Sequence, residues 1–294
     1  MSAAVEDLST PLPAIVIGSD EHKELFCRVF METHDPYDPA KVAWPDVDEV
    51  TLKRLRSMPF WNEAVSTEHD VARKVQALVP HELDPQLREA IALNGYEEGR
   101  HSSLLDHMLR HYEIPRPATR EEPLSHDPLW DFMRVGYGEC FDSFFAFGIY
   151  KLAGDSGIFP RGLLTAVAPI VQEEARHILF FVNWIAYCRA RENGVGKVSH
   201  MARCAAAMTA QVWGRVKTAI GAARGGGGDK DASGEPEEDF MLGVKDSLEV
   251  VSSPRQFLNV CLSENDRRLA PYDPRLLRPT FVPKLARTLA RVVP

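Results

Sequence analysis

The chain has 294 residues, of which 45% are hydrophobic and 26% are charged, and its formal net charge is −8. This is the composition of a globular protein large enough to bury a core, and the acidic balance excludes a general affinity for nucleic acid or anionic membranes. No apolar run approaches the roughly 20 residues of a membrane span, and no signal peptide is evident. Five cysteines, odd in number and far apart, favour reduced thiols and a cytoplasmic location.

Hydrophobic periodicity predicts an all-α fold, because apolar residues recur three and four apart and no stretch alternates with a period of two. Residues 1–58 are expected to form short helices. Residues 59–192 are expected to form a four-helix core. Residues 193–294 are expected to add accessory helices to the same domain, with a flexible loop at 221–238 that contains four consecutive glycines.

The predicted helices begin at capping residues or prolines and end at helix breakers. At about 1.5 Å per residue the longest of them spans about 40 Å, which suits a bundle better than an α/β fold. In chain order, the first predictions are a helix from Ser19 to about Glu32 and a short one after Pro45-Asp46. The four core helices are predicted from Pro59 to about Leu78, from Asp84-Pro85 to about Tyr112, over Leu129–Leu152, and from after Pro160 to Arg191. Helices at 197–223, Asp239–Val251 and Pro254–Leu269 and a proline-spaced tail follow.

Two segments share the pattern Glu-Glu-x-Arg-His, namely Glu97–His101 and Glu173–His177. Residues three apart lie on nearly the same face of a helix, so each segment can offer one carboxylate and one imidazole to a common point. One Glu-x-x-His is expected about once by chance in such a chain, but two copies that share the preceding acid and the arginine are not. Two such helices, with a glutamate from each of two others, make up the ligand set of a two-metal carboxylate site.

Glu68 and Glu139 are the candidates for the two remaining glutamates. Each lies on a largely apolar stripe, where an unpaired carboxylate would be costly; Glu63 and Asp142 are the alternatives. Four carboxylates and two neutral imidazoles balance two divalent ions, and mixed oxygen and nitrogen ligands favour iron or manganese over structural zinc. The predicted metal ligands are therefore Glu68, Glu98, His101, Glu139, Glu174 and His177.

These residues resemble the ferritin-like di-iron carboxylate superfamily, whose motif is an acid followed by Asp/Glu-Glu-x-Arg-His, twice over. The resemblance covers about residues 60–191 and implies a ferritin-like four-helix bundle with additional N- and C-terminal helices. It implies that the six ligands hold two irons, or manganese and iron. It also implies that Glu97 and Glu173 orient a ligand histidine through its other nitrogen, with Arg100 and Arg176 as supporting charges. Their alternative is an exposed, salt-bridged face.

Members of the superfamily differ in features that can be compared with this chain. N-oxygenases carry a histidine one turn before the last Glu-x-x-His, where this chain has Ile170. Radical-generating subunits need a tyrosine near the metals, and Tyr96 and Tyr137 lie on a different helical face from the ligands. Ferritins are much shorter. The resemblance therefore favours a non-haem di-iron oxygenase or oxidase, foremost a monooxygenase, that uses O₂ to hydroxylate or N-oxygenate a small organic substrate.

Such an enzyme needs an electron donor such as a ferredoxin or reductase. No nucleic acid or membrane partner is expected. If the chain associates with itself, a homodimer is the expected assembly. Phe144, Phe147 and Phe181 are candidates for lining an apolar substrate pocket, with ordinary core packing as the alternative for each. Three other functions stay open. They are an acyl-chain desaturase, a ferroxidase or metal-storage protein, and a helical interaction module whose acids bind no metal.

Overall fold

The structure is a computed structural model that describes residues 14–58, 61–116, 121–223 and 253–293, without the side chains of 62, 63 and 216–223. Throughout these residues the regular secondary structure is helical and no strand occurs, which confirms the all-α prediction. None of the described helices combines the length and apolarity needed to cross a bilayer. The α-helices described are α1 (Asp20–Glu32), α2 (Glu49–Ser57), α3 (Trp61–Leu78), α4 (Pro85–His111), α5 (Pro128–Ser156), α6 (Arg161–Arg191), α7 (Gly194–Ala223), α8 (Pro254–Leu269) and α9 (Phe281–Val292).

Side-chain caps set the starts of the helices. The side chains of Ser19, Asp84 and Asp127 accept backbone N–H groups from the first turns of α1, α4 and α5. Each cap of this kind stabilises its helix by about 1 kcal/mol, because those N–H groups have no partner within the helix. The sequence prediction for α1, which used Ser19, and the one for α4, which used Asp84, are confirmed.

The C-terminal region departs from its prediction. The proline-spaced tail proves to contain α9, so that prediction was wrong; Pro283 lies in the first turn of α9, where a proline costs no intrahelical hydrogen bond. The predicted loop at 221–238 starts too early, because α7 continues to Ala223. The rest of that loop and the helix predicted at Asp239–Val251 lie outside the described residues.

Helices α3 and α4 run antiparallel along most of their length. The Ser102 hydroxyl donates to the carbonyl of Val65 at 3.1 Å, and the Gln76 side chain donates to the carbonyl of Ala92 at 3.0 Å. Residues early in α3 therefore lie beside residues late in α4. This register brings the middle of α3 level with the Glu-Glu-x-Arg-His segment of α4.

Helices α5 and α6 form a second antiparallel pair with a close approach at Gly136. A Cβ atom on Gly136 would lie 2.1 Å from the ring of Phe181, so only glycine fits there. At the other end of the pair, the Tyr150 hydroxyl donates to the carbonyl of Leu164 at 2.9 Å. The two pairs then pack on each other, α3 against α5 and α4 against α6, while α1 covers α4 and α6, and α8 covers α5.

Candidate metal centre

The structure brings together the paired glutamate and histidine of each repeated segment, between α4 and α6. Glu98, His101, Glu174 and His177 are between 0 and 6% exposed. One ligand atom from each lies within 4.8 Å of the others. This convergence requires the antiparallel register of α4 and α6, in which residue 98 faces residue 177 and residue 101 faces residue 174.

The atoms that face one another in this cluster have no hydrogen-bond partner. They are Oε2 of Glu98, Nδ1 of His101, Oε1 of Glu174 and Nδ1 of His177. Each buried polar atom left unpaired costs about 1–3 kcal/mol. A cation at their meeting point would bind all four.

Glu68 on α3 and Glu139 on α5 lie beside the cluster, so each of the other two helices also brings a glutamate near it. Oε2 of Glu68 lies 3.4 Å from Nδ1 of His101, and the Glu68 side chain is 20% exposed. The Ser143 hydroxyl lies 2.9 Å from Oε2 of Glu174 and 3.5 Å from Oε2 of Glu139, so it connects α5 to the cluster. Both glutamates are half-buried.

Of the two alternative acids, Asp142 points elsewhere. Its Oδ2 lies 2.5 Å from Nη2 of Arg215 on α7, and its side chain is 47% exposed. The side chain of Glu63 lies outside the described residues. Tyr96 is 56% exposed, and the ring of Tyr137 packs edge-on against Phe181.

The acid that precedes each ligand supports the histidine of the opposite helix. Nε2 of His101 lies 2.8 Å from Oε2 of Glu173, and Nε2 of His177 lies 2.9 Å from Oε2 of Glu97. Since a carboxylate accepts, Nε2 of each histidine carries a proton, and Nδ1, which is aimed into the cluster, is the atom that would bind a metal. The resemblance implied that these acids orient the histidines, and the structure places each acid beside the histidine of the opposite helix.

Two buried arginines hold these supporting acids. Nη1 of Arg176 donates to Oε1 of Glu97 at 2.8 Å, and Arg100 donates to Glu173. Both arginines are at most 4% exposed, so the alternative of a solvated, salt-bridged face is wrong. Nη1 of Arg100 also donates to the carbonyl of Asp35 at 3.0 Å, which ties the segment after α1 to the centre.

His34 and Tyr37, which the sequence analysis missed, lie in that segment. Nδ1 of His34 donates to Oε1 of Glu97 at 2.5 Å, and the His34 side chain is 21% exposed. The guanidinium of Arg100 stacks 4.0 Å from the ring centroid of Tyr37, whose hydroxyl is buried without a partner. Helical periodicity gives no signal in a non-helical segment. A histidine and a tyrosine among the prolines of residues 34–39 were the only clue.

The carboxyl groups and imidazoles of the centre have strongly shifted pKa values. Burial raises the pKa of Glu68 to about 8, and burial with the charges of Glu174 and Glu98 raises the pKa of Glu139 well above its ordinary value. Burial opposes the protonation of His101, but the nearby carboxylates of Glu173, Glu174 and Glu68 raise its pKa nevertheless. These raised pKa values favour protonated groups, whose protons a metal ion would displace.

Burial lowers the pKa of His177, but the charge of Glu98 outweighs this effect, so the pKa is raised overall. In turn, although burial acts against it, the two neighbouring histidines lower the pKa of Glu174. In both residues the charge of a neighbour decides the direction of the shift against the effect of burial.

The three phenylalanines proposed for a substrate pocket are buried within the core. Phe144, Phe147 and Phe181 are 0–3% exposed and belong to hydrophobic clusters. Phe181 packs against Gly136 and the ring of Phe132. Their role as pocket residues stays a prediction.

Comparisons of this chain with models of protein families, with curated proteins and with solved structures give no match. The functional argument therefore depends on the geometry of the centre.

Proposed function

We propose that α3–α6 form a ferritin-like four-helix bundle that holds two divalent metal ions, and that the protein is a non-haem di-iron oxygenase or oxidase. One observation carries this proposal. Four ligand atoms of Glu98, His101, Glu174 and His177 are buried, face one another and lack any hydrogen-bond partner, while the other nitrogen of each histidine is held by a carboxylate.

The distances show that each glutamate of the pair approaches both histidines. Oε1 of Glu98 lies 2.8 Å from Nδ1 of His177, and its Oε2 lies 3.6 Å from Nδ1 of His101. Oε1 of Glu174 lies 3.3 Å from Nδ1 of His101 and 3.7 Å from that of His177. These four residues would hold the metal ions, with Glu68 and Glu139 as further ligands.

The donor set fits iron or manganese better than other metals. Oxygen and nitrogen ligands without thiolate disfavour structural zinc, and the groups of described residues that could hold a metal ion contain no cysteine. Four carboxylates with two neutral imidazoles would cancel the charge of two divalent ions, which a buried site requires. Two irons are proposed, with manganese and iron as the alternative pair.

A pair of irons bound here would supply the reduction of O₂ and the oxidation of an organic C–H or N–H bond. The protein's own residues define the site around that chemistry. Glu97 and Glu173 orient the two histidines, and Arg176 and Arg100 form buried ion pairs with these acids. The ring of Phe30 lies 5.9 Å from that of His177 and excludes water on the α1 side.

Access to the centre is proposed from the side of α3 and α5. Glu68 and Glu139 are half-buried, whereas the ligands on α4 and α6 are buried. A small organic substrate would therefore approach between α3 and α5. Electrons would come from a separate donor protein, such as a ferredoxin or reductase.

Anaerobic loading with Fe(II), followed by metal analysis and O₂ uptake, tests the proposal. Two irons per chain and O₂ consumption that increases with a suitable substrate and reductant are expected. Glu98→Gln and Glu174→Gln should lose iron, whereas His126→Ala on an exposed connection should keep it. Fewer than one iron per chain would refute metal binding, and O₂ uptake that only oxidises added iron would indicate a ferroxidase instead.

A further inference from the structure

The C-terminal region has the opposite charge from the rest of the chain. Residues 254–293 contain eight arginines and lysines and three acidic residues, a net charge of +5, although the whole chain carries −8. The remaining residues therefore carry −13. Such a separation of charge creates a field that steers an oppositely charged partner to the basic end.

Helix α9 presents an apolar stripe within this basic region. Phe281, Leu285 and Leu289, spaced by one helical turn, are 45, 40 and 41% exposed. The opposite face of α9 is buried against α5 and α8. That buried face consists of Val282, Pro283, Ala286 and Ala290.

Positive charges flank the stripe, and α9 contains no acidic residue. Lys284 and Arg291 are exposed, and neither pairs with an acid among the residues that the structure describes. Arg287 is 50% exposed and lies 3.5 Å from Asp266. The surface thus has an apolar centre and a basic rim, which is the anatomy of a protein docking site for an acidic partner.

We propose that the outer face of α9 docks an acidic electron-transfer protein. This inference rests on the proposed function, because an oxygenase of this kind needs electrons that the chain cannot supply. The charge of the face selects an acidic partner, and its apolar residues provide the contact.

The size of the face favours a transient complex. Twelve residues of helix are about 18 Å long, so the face is smaller than the roughly 800 Å² that each partner buries in a stable complex. Electron-transfer complexes occupy this small end of the range. An anionic membrane fits less well, because the other residues carry −13 and would be repelled.

The outer face of α9 is also close to the proposed metal centre. The ring centroid of Phe281 lies 6.0 Å from that of Phe141 on α5, two residues from Glu139 and Ser143. One helix thus separates the docking face from the proposed ligands. A carrier on α9 would be near the metals without blocking the α3 and α5 side.

Binding of a plant-type [2Fe–2S] ferredoxin and of a flavodoxin, both acidic, to the full chain at low and high salt tests the proposal. The Lys284→Glu/Arg291→Glu variant should weaken binding of at least one carrier by about 10-fold or more and remove most of its salt dependence. The Leu285→Gln/Leu289→Gln variant should also weaken it. An Arg161→Glu/Lys197→Glu variant changes the charge equally at exposed sites outside α9 and should bind as the unchanged protein does.

With iron bound, the α9 variants should be reduced more slowly by the carrier but at an unchanged rate by dithionite. The proposal is overturned if neither carrier binds, or if the α9 variants bind like the control. It is also overturned if the sole effect of Leu285→Gln/Leu289→Gln is to dissociate a dimer of this chain, or to release the chain from anionic vesicles. Binding is measured without iron as well, so a chain that binds the carrier but no iron would refute the proposed function alone.

Discussion

The two Glu-Glu-x-Arg-His segments contain the same residues at the same spacing, yet their surroundings differ. Among the described residues, Glu173, which supports His101, forms an ion pair with one arginine, Arg100. Glu97, which supports His177, is held by Arg176 and by the partly exposed His34. The repeated segments thus supply the proposed ligands, whereas the single segment after α1 makes the two halves unequal. Two metals bound here would not be equivalent.

If the two repeated segments form one metal centre, both of their histidines bind metal. His101→Ala and His177→Ala should each lower the bound metal by about 10-fold or more, because a lost ligand costs at least as much as a lost supporting residue. Metal analysis after reconstitution with iron measures this, with His126→Ala as the control. Unchanged metal content in both variants would show that the ligands are assigned wrongly.

The supporting acids should differ in the size of their effect. Glu97→Gln and Glu173→Gln should each weaken metal binding by about 10-fold or more, since each removes the acceptor that orients a histidine. The loss should be larger for Glu97, because His34, Arg176 and His177 all depend on it. Mn(II) titration of both variants, with exposed Glu113→Gln as the control, measures the difference. Equal affinities of the two variants for Mn(II) would contradict the proposed difference between the two halves of the centre.

Metal binding should release protons. The pKa of Glu68 is raised to about 8 by burial, and the pKa values of Glu139, His101 and His177 are raised as well. The raised pKa values favour the protonated forms in the metal-free protein, so affinity should rise with pH through neutrality, by up to about tenfold per pH unit for each proton displaced. Calorimetry of Mn(II) binding in buffers of different ionisation enthalpy counts the protons. Identical heats in all buffers would mean that none is released.

The smallest effects concern His34 and Tyr37. His34→Ala removes a partly exposed hydrogen bond to a charged group and should lower the free energy of unfolding by about 1 kcal/mol. Tyr37→Phe removes a buried hydroxyl without a partner and should leave the stability of the metal-free protein unchanged or about 1 kcal/mol higher. Denaturant unfolding of both variants measures this. A clear loss in Tyr37→Phe would reveal a partner for that hydroxyl.

The sequence predicted most of the helices because their signals are local. Ser19, Asp84 and Pro85 mark helix starts by capping chemistry, and the apolar stripes of α3–α6 have a period that needs no tertiary information. Helix α9 was not predicted, because its segment was described only as a proline-spaced tail, although a proline in the first turn is tolerated.

The candidate site was predictable only as far as helical spacing reaches. Spacing alone places Glu98 beside His101, and Glu174 beside His177. It does not reveal that Glu97 supports the histidine of another helix, because that pairing depends on how α4 and α6 pack. The contacts of His34 and Tyr37 depend on the path of a non-helical segment, for which the sequence contains no periodic signal.

The central claim is that two metal ions bind between the Nδ1 atoms of His101 and His177. A crystal structure of the iron-loaded protein, with data collected on both sides of the iron absorption edge, tests this directly. The account predicts two anomalous peaks there, within ligand distance of Glu98 and Glu174. Full iron content with no peak between α4 and α6 would contradict it.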